Sequence, residues 1–227
     1  MKQHAIIFLG PTLSQEVANQ YLEAEYRSPI KRGDLDTLLP EQQVIGIIDG
    51  LFLQNLSISS KEILRYLERG GTVFGSSSMG ALRATELVSF GMKGIGTVYQ
   101  WYHRGYIDAD DEVAMIHTDE DWRPLSEPMV NIRLALKEAQ QEDIVTPWEK
   151  QFLLRAAKSC YFPERTYPRL LQIAATKLSD QKVQALQKKF QSARNIKKED
   201  ALLLLSAVSK YLSEDTMIDD KPYDALK

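Results

Sequence analysis

The sequence predicts an α/β protein with a mostly parallel sheet and flanking helices, followed by an all-helical C-terminal part. Three short apolar runs, at 4–9, 44–48 and 72–74, each precede a helical run. This β-α-β-α-β-α order favours parallel strands joined by right-handed crossovers. In the second half, strand-like runs give way to helical periodicity. We therefore expect two domains, an α/β core at residues 1–135 and a helical extension at 136–227.

Each of the first two predicted strands leads into a helix with recognisable boundaries. The strand at 4–9 is followed by the segment 12–15, which resembles a capping box and predicts a helix start. The strand at 44–48 is followed by a capping box at 59–62, and a glycine pair at 70–71 marks the end of that helix.

The later elements follow from the same patterns. The strand at 72–74 ends in serines and leads directly into a helical run at 79–90. The apolar segment 113–117 is interpreted as a fourth strand, parallel to the others. Thr146, which precedes a proline, is a strong helix start, and the apolar stretch 201–205 predicts a buried helix. Helical runs of the second half are expected at about 147–160, 168–178, 180–192 and 197–212.

Small or polar residues follow all three of the first predicted strands. They are Gly10 after the first, Asp49 and Gly50 after the second, and the serines 76–78 after the third. Ligands of open parallel sheets bind outside the C-terminal ends of the strands, and glycine allows a ligand to approach the backbone closely. We therefore expect a binding site at this edge of the sheet.

The serines at the end of the third strand allow two interpretations. Ser78, Met79 and Gly80 match the second half of the G-x-S-x-G nucleophile elbow, with Ser76 at the position of the first glycine. Serine is also a preferred N-cap residue of helices. The segment alone does not decide between a nucleophile and a helix cap.

Composition excludes several classes of protein. The 227 residues carry a formal net charge of -3, which argues against a nucleic-acid-binding surface. Cys160 is the single cysteine, so no disulfide forms within the chain, and no apolar run has the length of a membrane span. We expect a cytoplasmic protein that binds neither nucleic acid nor membrane.

The acidic run 108–112 is interpreted as a solvated turn rather than a metal site, so no metal is expected.

Several stretches together are similar to the TfuA-like family over about the first 135 residues. The stretches that carry the resemblance are 8–13, 32–34, 47–50, 61–64, 77–84, 90–92, 94–96, 110–114, His117 and 126–128. The serine–methionine–glycine stretch and the Asp-Asp-Glu-Val-Ala stretch are the most specific. The family usually has a histidine where this chain has Ser60, so no role of that histidine carries over.

The resemblance implies a function in peptide-backbone thioamidation. TfuA-like proteins accompany YcaO enzymes, which activate an amide oxygen with ATP. The expected partners are therefore a YcaO enzyme, a thiocarboxylated sulfur-carrier protein similar to ThiS, and, through YcaO, a peptide or protein substrate. The implied activity is release of sulfide from the carrier, with no cofactor in this chain. The alternative is a non-catalytic adaptor that docks the carrier or assists YcaO.

Sulfide release from a thiocarboxylate is acyl transfer, which requires a nucleophile, a base and donors for an oxyanion. We assign Ser78 as the nucleophile, and the Met79 N–H as one oxyanion donor. His117, at the end of the predicted fourth strand, is the expected base. Glu127 is preferred as the acid that orients it, because Asp111 would lie ~20 Å away along an extended strand.

Further residues are assigned to the oxyanion site or to substrate binding. The Gly10 or Gly50 N–H is expected to be the second oxyanion donor, and Arg83 is expected to neutralise a carboxylate unless it pairs with Glu86 or Glu127. The complete set of oxyanion and substrate-binding candidates is Gly10, Asp49, Gly50, Ser77, Met79, Gly80, Arg83 and Asp111.

Overall fold

The structure is a computed structural model that describes residues 3–52, 56–118, 120 and 122–219, without the side chains of 215–219. Within these residues, five strands form one sheet in which every neighbouring pair is parallel. The strands are β1 (His4–Phe8), β2 (Glu25–Arg27), β3 (Gln43–Ile47), β4 (Thr72–Ser76) and β5 (Lys93–Ile95), in the order β2-β1-β3-β4-β5. The predicted fold class is confirmed.

Helices flank the sheet and make up the later part of the chain. The α-helices are α1 (Gln15–Ala18), α2 (Ser60–Glu68), α3 (Met79–Leu87), α4 (Gly96–His103), α5 (Met129–Gln141), α6 (Pro147–Ser159), α7 (Tyr167–Ala174), α8 (Asp180–Gln191) and α9 (Ile196–Asp219). Short 3-10 helices lie at Val88–Phe90, Asp110–Glu112 and Phe162–Glu164. None of the described helices is both long and apolar enough to cross a membrane.

Two predicted capping boxes are present, and one is not. Ser59 caps α2 and Thr146 caps α6, and the N–H of each cap residue donates in return to the carboxylate of the glutamate three residues later. The cap of α1 is Ser14, whose hydroxyl accepts from the Val17 N–H, rather than Thr12. Thr12 instead donates its hydroxyl to Asp49, a long-range contact that local pattern cannot predict.

The predicted fourth strand at 113–117 is wrong. The segment follows the 3-10 helix Asp110–Glu112, and among the described residues its only ladder contact is an isolated antiparallel bridge between His117 and Pro124. The sheet edge beyond β4 is formed by β5 instead. The expectation that strand direction brings His117 to the C-terminal edge of the sheet therefore loses its basis.

Contacts divide the chain into two compact units. The first comprises residues up to Arg104 and those from Lys198 onward, and the second is Gly105–Lys197. This division differs from the boundary predicted near residue 135, and separately folding domains at 1–135 and 136–227 remain a prediction.

Each unit has its own apolar core. In the first, the sheet packs against the part of α9 that carries Leu204 and Leu205, although Leu203 is 53% exposed, so the stretch 201–205 is not buried all round. In the second, side chains of α5, α6, α7 and α8 form a separate cluster.

Candidate active site

The serine turn, residues 76–78, connects β4 directly to α3. Ser77 has a φ of +66°, one of the few non-glycine residues of the described chain with a positive φ. The Ser78 N–H donates to the Ser76 carbonyl over 2.7 Å, which closes a three-residue turn around Ser77. Turns of this kind with positive φ are rare and strained, and such strain is concentrated at functional sites.

The three hydroxyl groups of the turn have different environments. All three serines are buried. The Ser76 hydroxyl donates to the carbonyl of Asp200 over 2.8 Å. The Ser77 hydroxyl has no hydrogen-bond partner among the described residues. Ser78 occupies the N-cap position of α3, but its side chain makes no capping hydrogen bond. The structure thus leaves the hydroxyl of Ser78 without the capping role that was its alternative interpretation.

Two glycines allow α3 to begin this close to the sheet. A Cβ atom on Gly80 would lie 1.8 Å from the Ile47 carbonyl oxygen, and one on Gly75 would lie 2.2 Å from the Gly80 carbonyl oxygen. The Gly80 N–H donates to the carbonyl of Ile48 over 3.3 Å. The absence of side chains at both positions therefore brings the first turn of α3 against the ends of β3 and β4.

Some of the backbone N–H groups that are candidate oxyanion donors already donate a hydrogen bond within the protein, and others do not. Within the described part of the chain, the N–H groups of Met79 and Gly50 make no hydrogen bond. Gly50 lies against Met79, since a Cβ on Gly50 would come within 2.7 Å of its Cγ. The Gly10 N–H, in contrast, donates to Asp49 over 2.9 Å. An oxyanion can use the first two donors without displacing an existing bond, but not Gly10.

Asp49 binds the loop that follows β1. Its Oδ2 also accepts from the Thr12 N–H over 3.1 Å, and its Oδ1 accepts from the Thr12 hydroxyl over 2.7 Å. The side chain is buried. The carboxylate thus joins the ends of β1 and β3, and its predicted contact with substrate would compete with three existing hydrogen bonds.

The Arg83 guanidinium already has hydrogen-bond partners within the chain. Its Nη1 lies 2.8 Å from both carboxylate oxygens of Glu86, and its Nε donates to the carbonyl of Ile58 over 3.0 Å. The ion pair with Glu86 that was the alternative to substrate binding is therefore present.

His117 and Glu127 belong to the second compact unit. His117 Nδ1 lies 3.0 Å from the carbonyl of Thr118, and its ring lies 4.7 Å from that of Trp122. The Glu127 carboxylate accepts from Asn131 at 3.4 Å, and no hydrogen bond joins it to His117 among the described residues. Burial raises the pKa of Glu127, against the opposing effects of Asn131 and Lys197. The predicted pairing of His117 with Glu127 is not formed in this structure.

Asp111, also in the second unit, is part of an ion-pair network. Its carboxylate contacts Lys158 and accepts from Arg165 at 2.9 Å. The neighbouring Glu112 is buried, forms two hydrogen bonds of 2.7 and 2.8 Å with Arg133, and accepts from Lys158 over 2.8 Å. Burial raises the pKa of each carboxyl, but these cationic partners outweigh it and lower both pKa values. Both acids therefore have cationic partners within the chain itself, and substrate binding by Asp111 stays a proposal.

Asp200 is a buried acid that sequence reasoning missed. Its two carboxylate oxygens accept from the N–H groups of Thr97 and Val98 over 2.8 and 2.7 Å, at the start of α4. A Cβ on Gly96 would lie 2.3 Å from its Cγ, so glycine is required there. The signal available in the sequence was an aspartate immediately before the apolar stretch 201–205 of α9.

A comparison with protein families identifies the relatives of the chain. The model of the TfuA-like protein family matches residues 49–166, just over half of the 227 residues. The chain belongs to the TfuA-like family. A comparison with curated proteins finds no match.

The matched segment contains most, but not all, of the candidate site. It includes the serine turn, Asp111, His117 and Glu127, and begins at Asp49, after the loop that carries Gly10. It continues beyond residue 135, where the resemblance in the sequence was expected to end. TfuA-like proteins are partners of YcaO enzymes in thioamidation, so the chain has this functional context at the level of its family. Among the described residues, no group of three His, Cys, Asp or Glu side chains is placed to hold a metal ion.

Proposed function

We propose that this chain hydrolyses the C-terminal thiocarboxylate of a small ThiS-like carrier protein and thereby supplies sulfide to a YcaO enzyme. The observation that carries the proposal is the serine turn, in which a strained residue separates β4 from α3 and the next hydroxyl, that of Ser78, is not used as a cap. The cytoplasmic setting and the carrier rest on the sequence and the family resemblance.

The reaction is ordinary acyl transfer at the turn. The Ser78 hydroxyl loses its proton to a base and attacks the thiocarboxylate carbon, so that a C–O bond forms and the carbonyl oxygen gains negative charge. As this intermediate collapses, the C–S bond breaks, the base returns its proton to the departing sulfur, and the sulfur leaves as hydrosulfide (HS⁻). Water then cleaves the serine ester, which returns the hydroxyl and leaves the carrier with a carboxylate. The net reaction consumes one water and requires no oxidant or reductant.

Backbone groups at the start of α3 support the charge that develops on oxygen. The Met79 N–H follows the proposed nucleophile directly, as in a nucleophile elbow, and is free of other bonds among the described residues. The Gly50 N–H, beside Met79, is a further candidate donor. Removal of one such donor typically costs about 3 kcal/mol of transition-state stabilisation.

His117 is proposed as the base on the family resemblance alone. When Nδ1 carries the hydrogen and donates it to the Thr118 carbonyl, Nε2 has the free lone pair that a general base needs. In that tautomer the Thr118 carbonyl orients the ring, which is the role that the sequence assigned to Glu127. Participation of Glu127 is still proposed, and would require its carboxylate to leave Asn131.

Access to the turn requires local motion. Ser77 has no exposed surface and Ser78 is 2% exposed, so the end of a carrier protein reaches them only after the surrounding chain opens. Such opening occurs on microsecond to millisecond timescales in many enzymes. A slow opening step would limit turnover without changing the chemistry.

Incubation with a thiocarboxylated ThiS-like carrier tests the proposal. The chain should release sulfide in the absence of YcaO and ATP, and mass spectrometry should show sulfur replaced by oxygen at the carrier C-terminus. Carrier that remains thiocarboxylated, together with stimulation of YcaO by the chain, would instead identify the adaptor function.

A further inference from the structure

The Ser77 hydroxyl is a buried polar group that the fold does not use. It has no hydrogen-bond partner among the described residues, and the side chain has no exposed surface. Buried hydroxyl groups in folded proteins nearly always have a partner, and one without a partner is destabilising. Its neighbour Ser76 shows the ordinary arrangement, with a bond to the Asp200 carbonyl.

The backbone of Ser77 adds a second, independent cost. A φ of +66° is unfavourable for serine and favourable for glycine, which would also remove the unpaired hydroxyl. A chain selected only for stability would therefore have glycine at this position. Residues that carry both strain and an unsatisfied group are expected where a ligand supplies the missing contact.

The proposed reaction can use a hydroxyl donor in addition to backbone N–H groups. The Met79 N–H is one backbone donor and the Gly50 N–H is a further candidate, whereas the Gly10 N–H is already bound to Asp49. Ser77 precedes the proposed nucleophile in the chain and lies at the apex of the same turn.

We infer that the Ser77 hydroxyl donates a hydrogen bond to the oxygen of the thiocarboxylate as it becomes an oxyanion. The inference rests on the proposed function and adds a binding group to it. The tetrahedral intermediate places its charge on that oxygen, which accepts hydrogen bonds more strongly than the ground-state group. The donor therefore stabilises the transition state more than it stabilises bound substrate.

Opposite changes in stability and activity distinguish this role from a structural one. We expect Ser77→Gly to raise the thermal midpoint by roughly 2 to 4 °C, because strain and the unpaired hydroxyl both disappear. We expect its kcat to fall about 100-fold with KM changed little, as when one oxyanion donor is removed. Ser77→Ala should lose a similar factor in kcat. Ser76→Ala is the matched control, because it removes a hydroxyl that is bonded within the fold and should lower the midpoint while largely retaining kcat.

The experiment measures sulfide release from the thiocarboxylated carrier and thermal unfolding for the full chain and these variants. Unchanged kcat in Ser77→Gly, or a lowered midpoint, would overturn the inference while wild-type sulfide release still supports the proposed function. An acyl adduct mapped to Ser77 would make this serine the nucleophile and also overturn the donor role. Absence of sulfide release from the wild type would overturn both proposals.

Discussion

The N–H of Gly10 donates a 2.9 Å hydrogen bond to Oδ2 of Asp49, which joins the ends of two adjacent strands. The same carboxylate accepts two further bonds from Thr12. This relationship gives both residues a structural role at the sheet edge, and their contact with substrate stays a proposal. The supported edge lies in the same compact unit as the serine turn.

Removal of the Asp49 carboxylate should destabilise the protein. Asp49→Ala leaves two N–H groups and one hydroxyl without their acceptor in a buried place, and we expect a loss of about 3 kcal/mol in the free energy of unfolding. Asp49→Asn is the matched control, because its amide oxygen can still accept from the N–H groups and its amide nitrogen can donate to the Thr12 hydroxyl. Urea titration measures both; equal losses for Ala and Asn would contradict the importance of these bonds.

A side chain at Gly80 should separate α3 from β3. The Cβ of Gly80→Ala would meet the Ile47 carbonyl oxygen at 1.8 Å, and relief requires a backbone shift that costs about 3 kcal/mol. Gly91→Ala is the control, because its Cβ meets no atom within 4 Å and only its φ of +97° opposes the substitution. Calorimetry should therefore show a much larger loss for Gly80→Ala, and a loss no larger than that of Gly91→Ala would refute the close approach.

Loss of Arg133 should leave Glu112 as a buried acid whose one remaining cationic partner in the described part of the chain is Lys158. We expect Arg133→Met to lower the free energy of unfolding by about 2 kcal/mol at neutral pH, below the usual range for a broken buried pair because Arg133 is partly exposed. Cationic partners depress the pKa of Glu112, so their stabilisation is present above the unfolded-state pKa and is lost as pH falls.

The double variant with Glu112→Gln measures this coupling. The effect of Arg133→Met should be smaller in the Glu112→Gln background than in the wild type. Additive losses in a denaturation cycle would show that the two side chains do not stabilise each other.

Asp200 should make stability depend on pH in the opposite direction. Its pKa is raised to about 6: burial raises it most, the bonds from Val98 and Thr97 lower it, and Glu199 raises it. A folded-state pKa above the unfolded value means that stability is fully present below about pH 4 and is lost as pH rises through about 6. Relative to Asp200→Asn, the wild type should lose about 2 kcal/mol between pH 4 and pH 7. A difference that stays constant over this range would argue against titration of Asp200.

The sequence contained enough information for the main parts of the sheet. Buried apolar runs identified β1, β3 and β4, and side-chain caps identified the starts of α2 and α6. The edge strands β2 and β5 were missed because each has three residues and is only partly buried, so neither produces a distinct apolar run.

The error at 113–117 has a similar origin. An apolar run identifies burial but not strand pairing, and the buried Val113 and Ala114 lie in irregular chain after a 3-10 helix. The serine turn was located from its pattern, but the strain at Ser77 and the bonds of Asp49 and Arg83 depend on tertiary contacts. Local sequence therefore identified the turn, but not which of the candidate groups around it are free of other bonds.

Sulfide release by Ser78→Ala, compared with the wild type on the same thiocarboxylated carrier, tests whether Ser78 is the nucleophile. The variant should fold with an unchanged thermal midpoint, because the Ser78 side chain makes no capping hydrogen bond, and should lose at least about 1,000-fold in kcat. Release at the wild-type rate by a folded Ser78→Ala protein would show that Ser78 is not the nucleophile.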